Sequence, residues 1–108
     1  MRVVIALALL AGLVVGQSAS TMPVPIYQPP PQYTDEALKA KIEGPVFVQV
    51  LIDEKGIPRD PTVAYSLDNG LDKEAIKAVK LWRFKPSLRD GKPVSVSVII
   101  KVSFRLPN

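Results

Sequence analysis

The chain has no cysteine and no histidine in its 108 residues. Without cysteine, disulfides and thiolate metal sites are excluded. Without histidine, the commonest general base and the commonest zinc ligand are both missing. Neither a Ser-His-Asp nor a Cys-His triad can be assembled. Paired carboxylates remain, but no two Asp or Glu residues stand in a recognisable motif for acid–base work. Ser66 has no partner base and is no nucleophile candidate. The expectation is a non-enzyme with no catalytic residue, no metal and no cofactor. Charge of one sign is also scarce in runs: 14 Lys and Arg face 10 Asp and Glu, interspersed, for a net charge of +4. No basic run is dense enough to track phosphates, so nucleic acid is not an expected partner.

A long hydrophobic run is missing too. Met1-Arg2 is followed by fourteen uncharged residues, Val3 to Gly16, and then by Gln17-Ser18-Ala19-Ser20. One early cation, a short apolar stretch and small residues form the pattern of a secretory signal peptide. Fourteen helical residues reach about 21 Å, short of a hydrocarbon core of about 30 Å. Residues 1–20 are therefore read as a signal peptide, with a short membrane anchor as the alternative. Both readings export the remainder.

Proline, by contrast, is concentrated. Pro23, Pro25, Pro29, Pro30 and Pro31 all lie in residues 21–32. Proline fixes φ and lacks a donor, so this lead is expected to run as polyproline II with its backbone open to water. Twelve such residues reach about 37 Å.

The body, residues 33–108, alternates in period. Thr34 is a candidate N-cap, with Asp35 and Glu36 in the first turn of a short helix that stops by Glu43-Gly44-Pro45. Val46, Val48, Val50 and Ile52 share one face of a first strand. Phe47, Gln49, Leu51 and Asp53 share the other, and both faces are expected to be at least half covered. Asp53-Glu54-Lys55-Gly56 is a turn. The return strand, Ile57 to Ser66, carries Pro58 and Pro61, which point to an edge or a bulge. Val63 and Tyr65 are placed on one face. After the loop Leu67-Asp68-Asn69-Gly70, Asp72 is expected to cap a second helix, with Leu71 and Ile76 as a hydrophobic staple. Leu71, Ala75, Val79 and Trp82 form its apolar stripe, ended by Pro86. Arg89-Asp90-Gly91-Lys92-Pro93 turns the chain. From Val94 to Leu106 the sequence alternates strictly: valines, Ile100, Phe104 and Leu106 on one face, Ser95, Ser97, Ile99, Lys101, Ser103 and Arg105 on the other. The order helix, strand, strand, helix, strand predicts an α+β domain. Its three-stranded antiparallel sheet carries both helices on one face.

These fragments, in this order, resemble the TonB C-terminal domain family. The marks are Pro31-Gln32-Tyr33, Glu43-Gly44-Pro45-Val46-Phe47-Val48, Asp53-Glu54-Lys55-Gly56, Ser66 and Leu71-Asp72-Lys73-Glu74-Ala75. They continue through Ala78 to Pro86 and Asp90-Gly91-Lys92-Pro93-Val94 to the terminal strand with Phe104. The resemblance implies a periplasmic protein-binding domain. It implies that extended segments of outer-membrane receptors, the TonB boxes, add as a strand beside the last strand, or that another envelope protein does so. A free edge offers the unpaired N–H and C=O groups this needs. The expected partner-binding residues are Ser95, Ser97, Ile99, Lys101, Ser103 and Arg105 on that strand. Pro31, Gln32 and Tyr33 join them, as does Arg83, which is either a contact for an acidic partner or a solvated cation. The same edge suits a strand-exchanged homodimer as the alternative. Transducers of the family also carry a membrane helix with a histidine that meets an ExbB–ExbD motor. This chain has no histidine and only a short lead, so a motor of that kind is expected only if residues 1–20 form an anchor.

Overall fold

The computed structural model describes residues 21–107. The expected signal peptide or anchor of residues 1–20 lies outside the described residues. In chain order the elements are β1 (Val24–Tyr27), α1 (Asp35–Lys39), β2 (Gly44–Ile52), β3 (Pro58–Tyr65), α2 (Asn69–Leu81), β4 (Arg83–Lys85), β5 (Ser87–Arg89), β6 (Lys92–Val94) and β7 (Val96–Phe104).

The strongest alternation in the chain makes its central sheet. β2 pairs antiparallel with β3 on one side and with β7 on the other, in the order β3-β2-β7. The β2–β7 ladder runs without interruption from Gly44 opposite Phe104 to Ile52 opposite Val96. Because side chains alternate, Val46, Val48, Val50 and Ile52 all point inward, where each is at most 1% exposed. They meet Val102 and Phe104 from β7, Ala37 from α1 and Leu71, Ala75 and Val79 from α2. Each fully buried Val, Leu or Ile contributes about 1.5–3 kcal/mol. Both helices cover this one face. Trp82 joins the core at 6% exposure, and its indole N–H donates to Pro29 O at 2.9 Å.

The opposite face of β2 is less covered than the sequence suggests. Phe47 is half-buried, but Gln49 and Leu51 are exposed, because among the described residues no helix packs there. β3 is an edge strand, as its prolines imply. It carries an extra residue opposite Gln49–Leu51 and another opposite Phe47–Val48. Asp60 sits in the first irregularity with φ 50°, between Pro58 and Pro61. The second splits the expected shared face. Val63 pairs with inward-facing Val48, whereas Tyr65 pairs with outward-facing Phe47, ring against ring at 5.8 Å and 85°.

The start of α2 differs from the sequence reading in one residue's role. Asp68, not Asp72, is the N-cap, accepting from Leu71 N at 3.0 Å, so the helix begins at Asn69. Asp72 lies one turn further on and is buried. One of its carboxylate oxygens accepts from Leu67 N at 3.0 Å and Asp68 N at 3.4 Å, and the other accepts from the Ser66 hydroxyl. Its charge satisfies the loop that enters the helix and lies near the positive end of the helix dipole. At α1, Thr34 is the N-cap, accepting from Ala37 N at 3.1 Å. That helix ends sooner than Glu43, at Ala40, with Lys41 in the left-handed region at φ 54°.

The expected single strand from Val94 to Leu106 is two strands. β6 pairs with β5 across Asp90-Gly91, whose φ values of 53° and 76° are those of a tight hairpin turn; β7 starts after Ser95. The proline-rich lead is not open to water throughout. Val24–Tyr27 pairs antiparallel with Arg83–Lys85. Thr21 N donates to Leu88 O at 2.9 Å and Leu88 N donates to Thr21 Oγ1 at 2.8 Å. The lead folds back on the segment after α2, so its extended reach is not used.

The β2–β3 turn is built by Asp53. Its Oδ1 accepts from Lys55 N and Ile57 N, each at 2.9 Å, and its Oδ2 from Arg59 Nε at 2.9 Å. The bond from Ile57 N, foremost, holds the Asp53 carboxyl below the usual carboxylate range, with Arg59 and Lys55 adding to it. A depressed folded pKa stabilises the fold above the unfolded value. That stabilisation is lost as pH falls through the folded one. Urea midpoints are therefore expected to hold from neutral pH down to the ordinary carboxylate range and to fall below it. Asp53→Asn is expected to flatten that acid loss.

Candidate binding edge

β7 has β2 along one side and, among the described residues, no strand along the other. In an antiparallel ladder alternate residues aim their N–H and C=O away from the partner. β7 therefore presents a row of unpaired backbone groups nine residues long, Val96 to Phe104. Its inward residues hold it in place: Val102 and Phe104 are 2% exposed. Tyr33 locks the far end, its ring edge-on to Phe104 at 5.5 Å and 82° and its hydroxyl donating to Ile42 O at 2.6 Å. Burial, and to a lesser degree the Glu43 carboxylate, push the Tyr33 phenol up. The hydroxyl stays protonated and keeps donating.

The outward residues expected to meet a partner fall in one row. Ser95, Ser97, Ile99, Lys101 and Ser103 are exposed, and Arg105 follows them, exposed as well. The β2 and β3 side chains beside that row extend it into a mosaic: Tyr65, Phe47 and Lys101 across one line, Thr62, Gln49 and Ile99 across the next, Arg59, Leu51 and Ser97 across the third. Phe47, Leu51 and Tyr65 are part of this surface, and the sequence reading left them out. The signal was present as Gln49, a polar residue between two apolar ones. Ser95 is less free than its neighbours, because its hydroxyl donates to Glu54 Oε1 at 2.8 Å. A hollow of about 170 Å³ at the Phe104 end is lined by Glu43, Gly44, Pro45, Lys101, Ser103, Phe104 and Arg105.

The other expected contact residues lie elsewhere. Pro31 and Gln32 sit on the helix side of the sheet, in an open groove of about 680 Å³ walled by Pro29–Glu36 and by Glu74, Lys77, Ala78 and Leu81 of α2. Tyr33 lines this groove and also touches Phe104, so it joins the groove to β7. Arg83 is remote from both in role. Its guanidinium donates to Lys80 O at 3.1 Å and Trp82 O at 2.6 Å, capping the carbonyl end of α2.

The family described as the Gram-negative bacterial TonB protein C-terminal matches residues 29–106, nearly the whole described fold. The chain belongs to the TonB C-terminal family. Among curated relatives, Protein TonB of Vibrio cholerae serotype O1 is 34% identical over 77 residues, covering 70% of this chain and 32% of that protein. Protein tonB2 of Pseudomonas aeruginosa is 33% identical over 82 residues, 75% of this chain and 30% of that one. The chain thus spans about a third of the length of these relatives. Among solved structures, the solution NMR structure of the Pseudomonas aeruginosa TonB C-terminal domain superposes with a TM-score of 0.61 at 27% identity. It covers 87% of this chain and 93% of that one. The TonB-like α+β fold is therefore shared, including the three-stranded antiparallel sheet. Among the described residues, no helix is long and apolar enough to cross a membrane.

Proposed function

We propose that this chain is a periplasmic binding module, exported by residues 1–20, that captures extended segments of outer-membrane receptors by strand addition to β7. The reading rests on one observation: a nine-residue strand with a free edge, at the end of a TonB C-terminal domain. Backbone pairing supplies affinity that is tolerant of sequence. Alternate side chains of the incoming strand then lie beside Ser97, Ile99, Lys101 and Ser103 on the outward face. Lys101 and Arg105 favour an acidic residue near the Phe104 end of the captured segment. The role in TonB-dependent transport is binding. Coupling to an ExbB–ExbD-like motor is not part of this reading.

The lack of cysteine makes disulfide trapping clean. Ser97→Cys and Ile99→Cys chains are mixed with a TonB-box peptide carrying one cysteine at successive positions. Strand neighbours place opposite Cβ atoms about 4.5–5.5 Å apart, so trapping is expected at one peptide position for each chain. That position is expected to shift by two when the chain's cysteine moves by two. Equal trapping at every position, or stronger trapping to Thr62→Cys on β3, would refute the proposal.

A further inference from the structure

We infer that the ribbon formed by β1 and β4, with the adjoining β5–β6 hairpin, is a docking face for an anionic lipid bilayer. It is a different surface from the β7 edge and does not depend on the reading given to that edge. β1 is unusual for a strand in burying none of its residues. Val24 is 53% exposed, Ile26 70% and Tyr27 59%, and Met22 just before them is 68% exposed. Backbone pairing to β4 and the ties from Thr21 to Ser87 and Leu88 hold this segment in place, so its apolar side chains are fixed facing water. An ordered, exposed apolar strip of this kind marks an interaction surface.

Charge tells which surface. Residues 21–34 carry none, while the segment they lie on runs through Lys80, Arg83, Lys85, Arg89 and Lys92 with Asp90 as its one acid. The register interleaves the two sets. Val24 lies opposite Lys85 and Tyr27 opposite Arg83, whose guanidinium is held on the α2 carbonyls, so Lys85 is the cation that shares the outward face with the aliphatic and aromatic side chains, while Phe84 turns into the core. Lys85 and Lys92 are exposed. Aliphatic chains among cations, with a tyrosine at the boundary, match a bilayer interface: the cations meet lipid phosphates and the apolar groups enter beneath them. A purely acidic protein would leave Met22, Val24 and Ile26 without a counterpart.

The test is hydrogen exchange of the full chain on vesicles of phosphatidylcholine, with and without phosphatidylglycerol. Amides of residues 22–27 and 83–94 are expected to exchange about fivefold more slowly or slower still on the anionic vesicles, and to be little changed on the neutral ones. Lys85→Glu with Lys92→Glu is expected to abolish the difference, and Ile26→Ser to reduce it. All three positions are exposed, and an unchanged urea midpoint checks that the variants fold. Equal protection on both vesicles, protection confined to other segments, or protection that survives the double charge reversal would overturn the inference.

Discussion

Replacing Gly56 with alanine is expected to destabilise the domain by on the order of 3 kcal/mol or more, a large share of what so small a fold possesses. Gly56 closes the β2–β3 turn with φ 79°. A left-handed backbone alone costs a residue with a Cβ about 1–2 kcal/mol. The larger part is contact. A Cβ at this position falls 1.8 Å from Phe84 O and 2.8 Å from Phe84 C, both backbone atoms. No rotamer relieves that. β4 must move away, which breaks the 3.0 Å bond from Phe84 N to Gly56 O and lifts Phe84 from the core. Gly91 is the matched control. Its φ is 76°, but nothing lies within 4 Å of its added Cβ, so Gly91→Ala is expected to cost only about 1 kcal/mol. Urea unfolding of the two variants side by side checks this. Equal midpoints would show that the close approach of turn and β4 is not there.

Phe104→Ala is expected to cost about 3–5 kcal/mol, and to lower the melting temperature by more than about 12 °C. Phe104 is among the largest fully buried side chains, and it fills the space between the Tyr33 ring and the start of β2 at Gly44. Its loss leaves a cavity where β7 is pinned and frees Tyr33 from its ring contact. The neighbouring Ser103→Ala, on the exposed side, is expected to stay within about 0.5 kcal/mol of the wild type. Thermal unfolding of the pair reads the inward and outward alternation of β7 directly.

The central sheet was legible because its pattern is strict. Four alternating apolar positions in β2 and the serine-punctuated run of β7 permit one register, since a slip by one residue would turn every valine to water. The stripe Leu71, Ala75, Val79 and Trp82 was equally plain, and all four are buried. What escaped the sequence was pairing between short segments. Arg83–Lys85 and Ser87–Arg89 are three residues each, too short to show a period, and they follow a helix and a proline. β1 escaped because its prolines argue for open backbone. It pairs with β4 through only three residue positions and shifts register between Pro25 and Tyr27. The cap of α2 was misplaced by one turn because Asp68 and Asp72 each stand three residues before an apolar one, Leu71 and Ala75. Only the fold shows that one carboxylate faces the helix end and the other faces back into the loop. Alternation put Ser97, Ile99, Lys101 and Ser103 on one face of β7, and all four are exposed in the fold. It said nothing of Arg83, whose guanidinium is spent on α2.

The most direct measurement is an amide chemical-shift titration of the isotopically labelled chain with a TonB-box peptide. The account predicts the largest shifts on Val96–Phe104, alternating between successive residues as outward-aimed N–H groups gain partners, with β3 little affected. Shifts absent from β7, or concentrated on the β3 edge or in the Pro29–Glu36 groove alone, would contradict it.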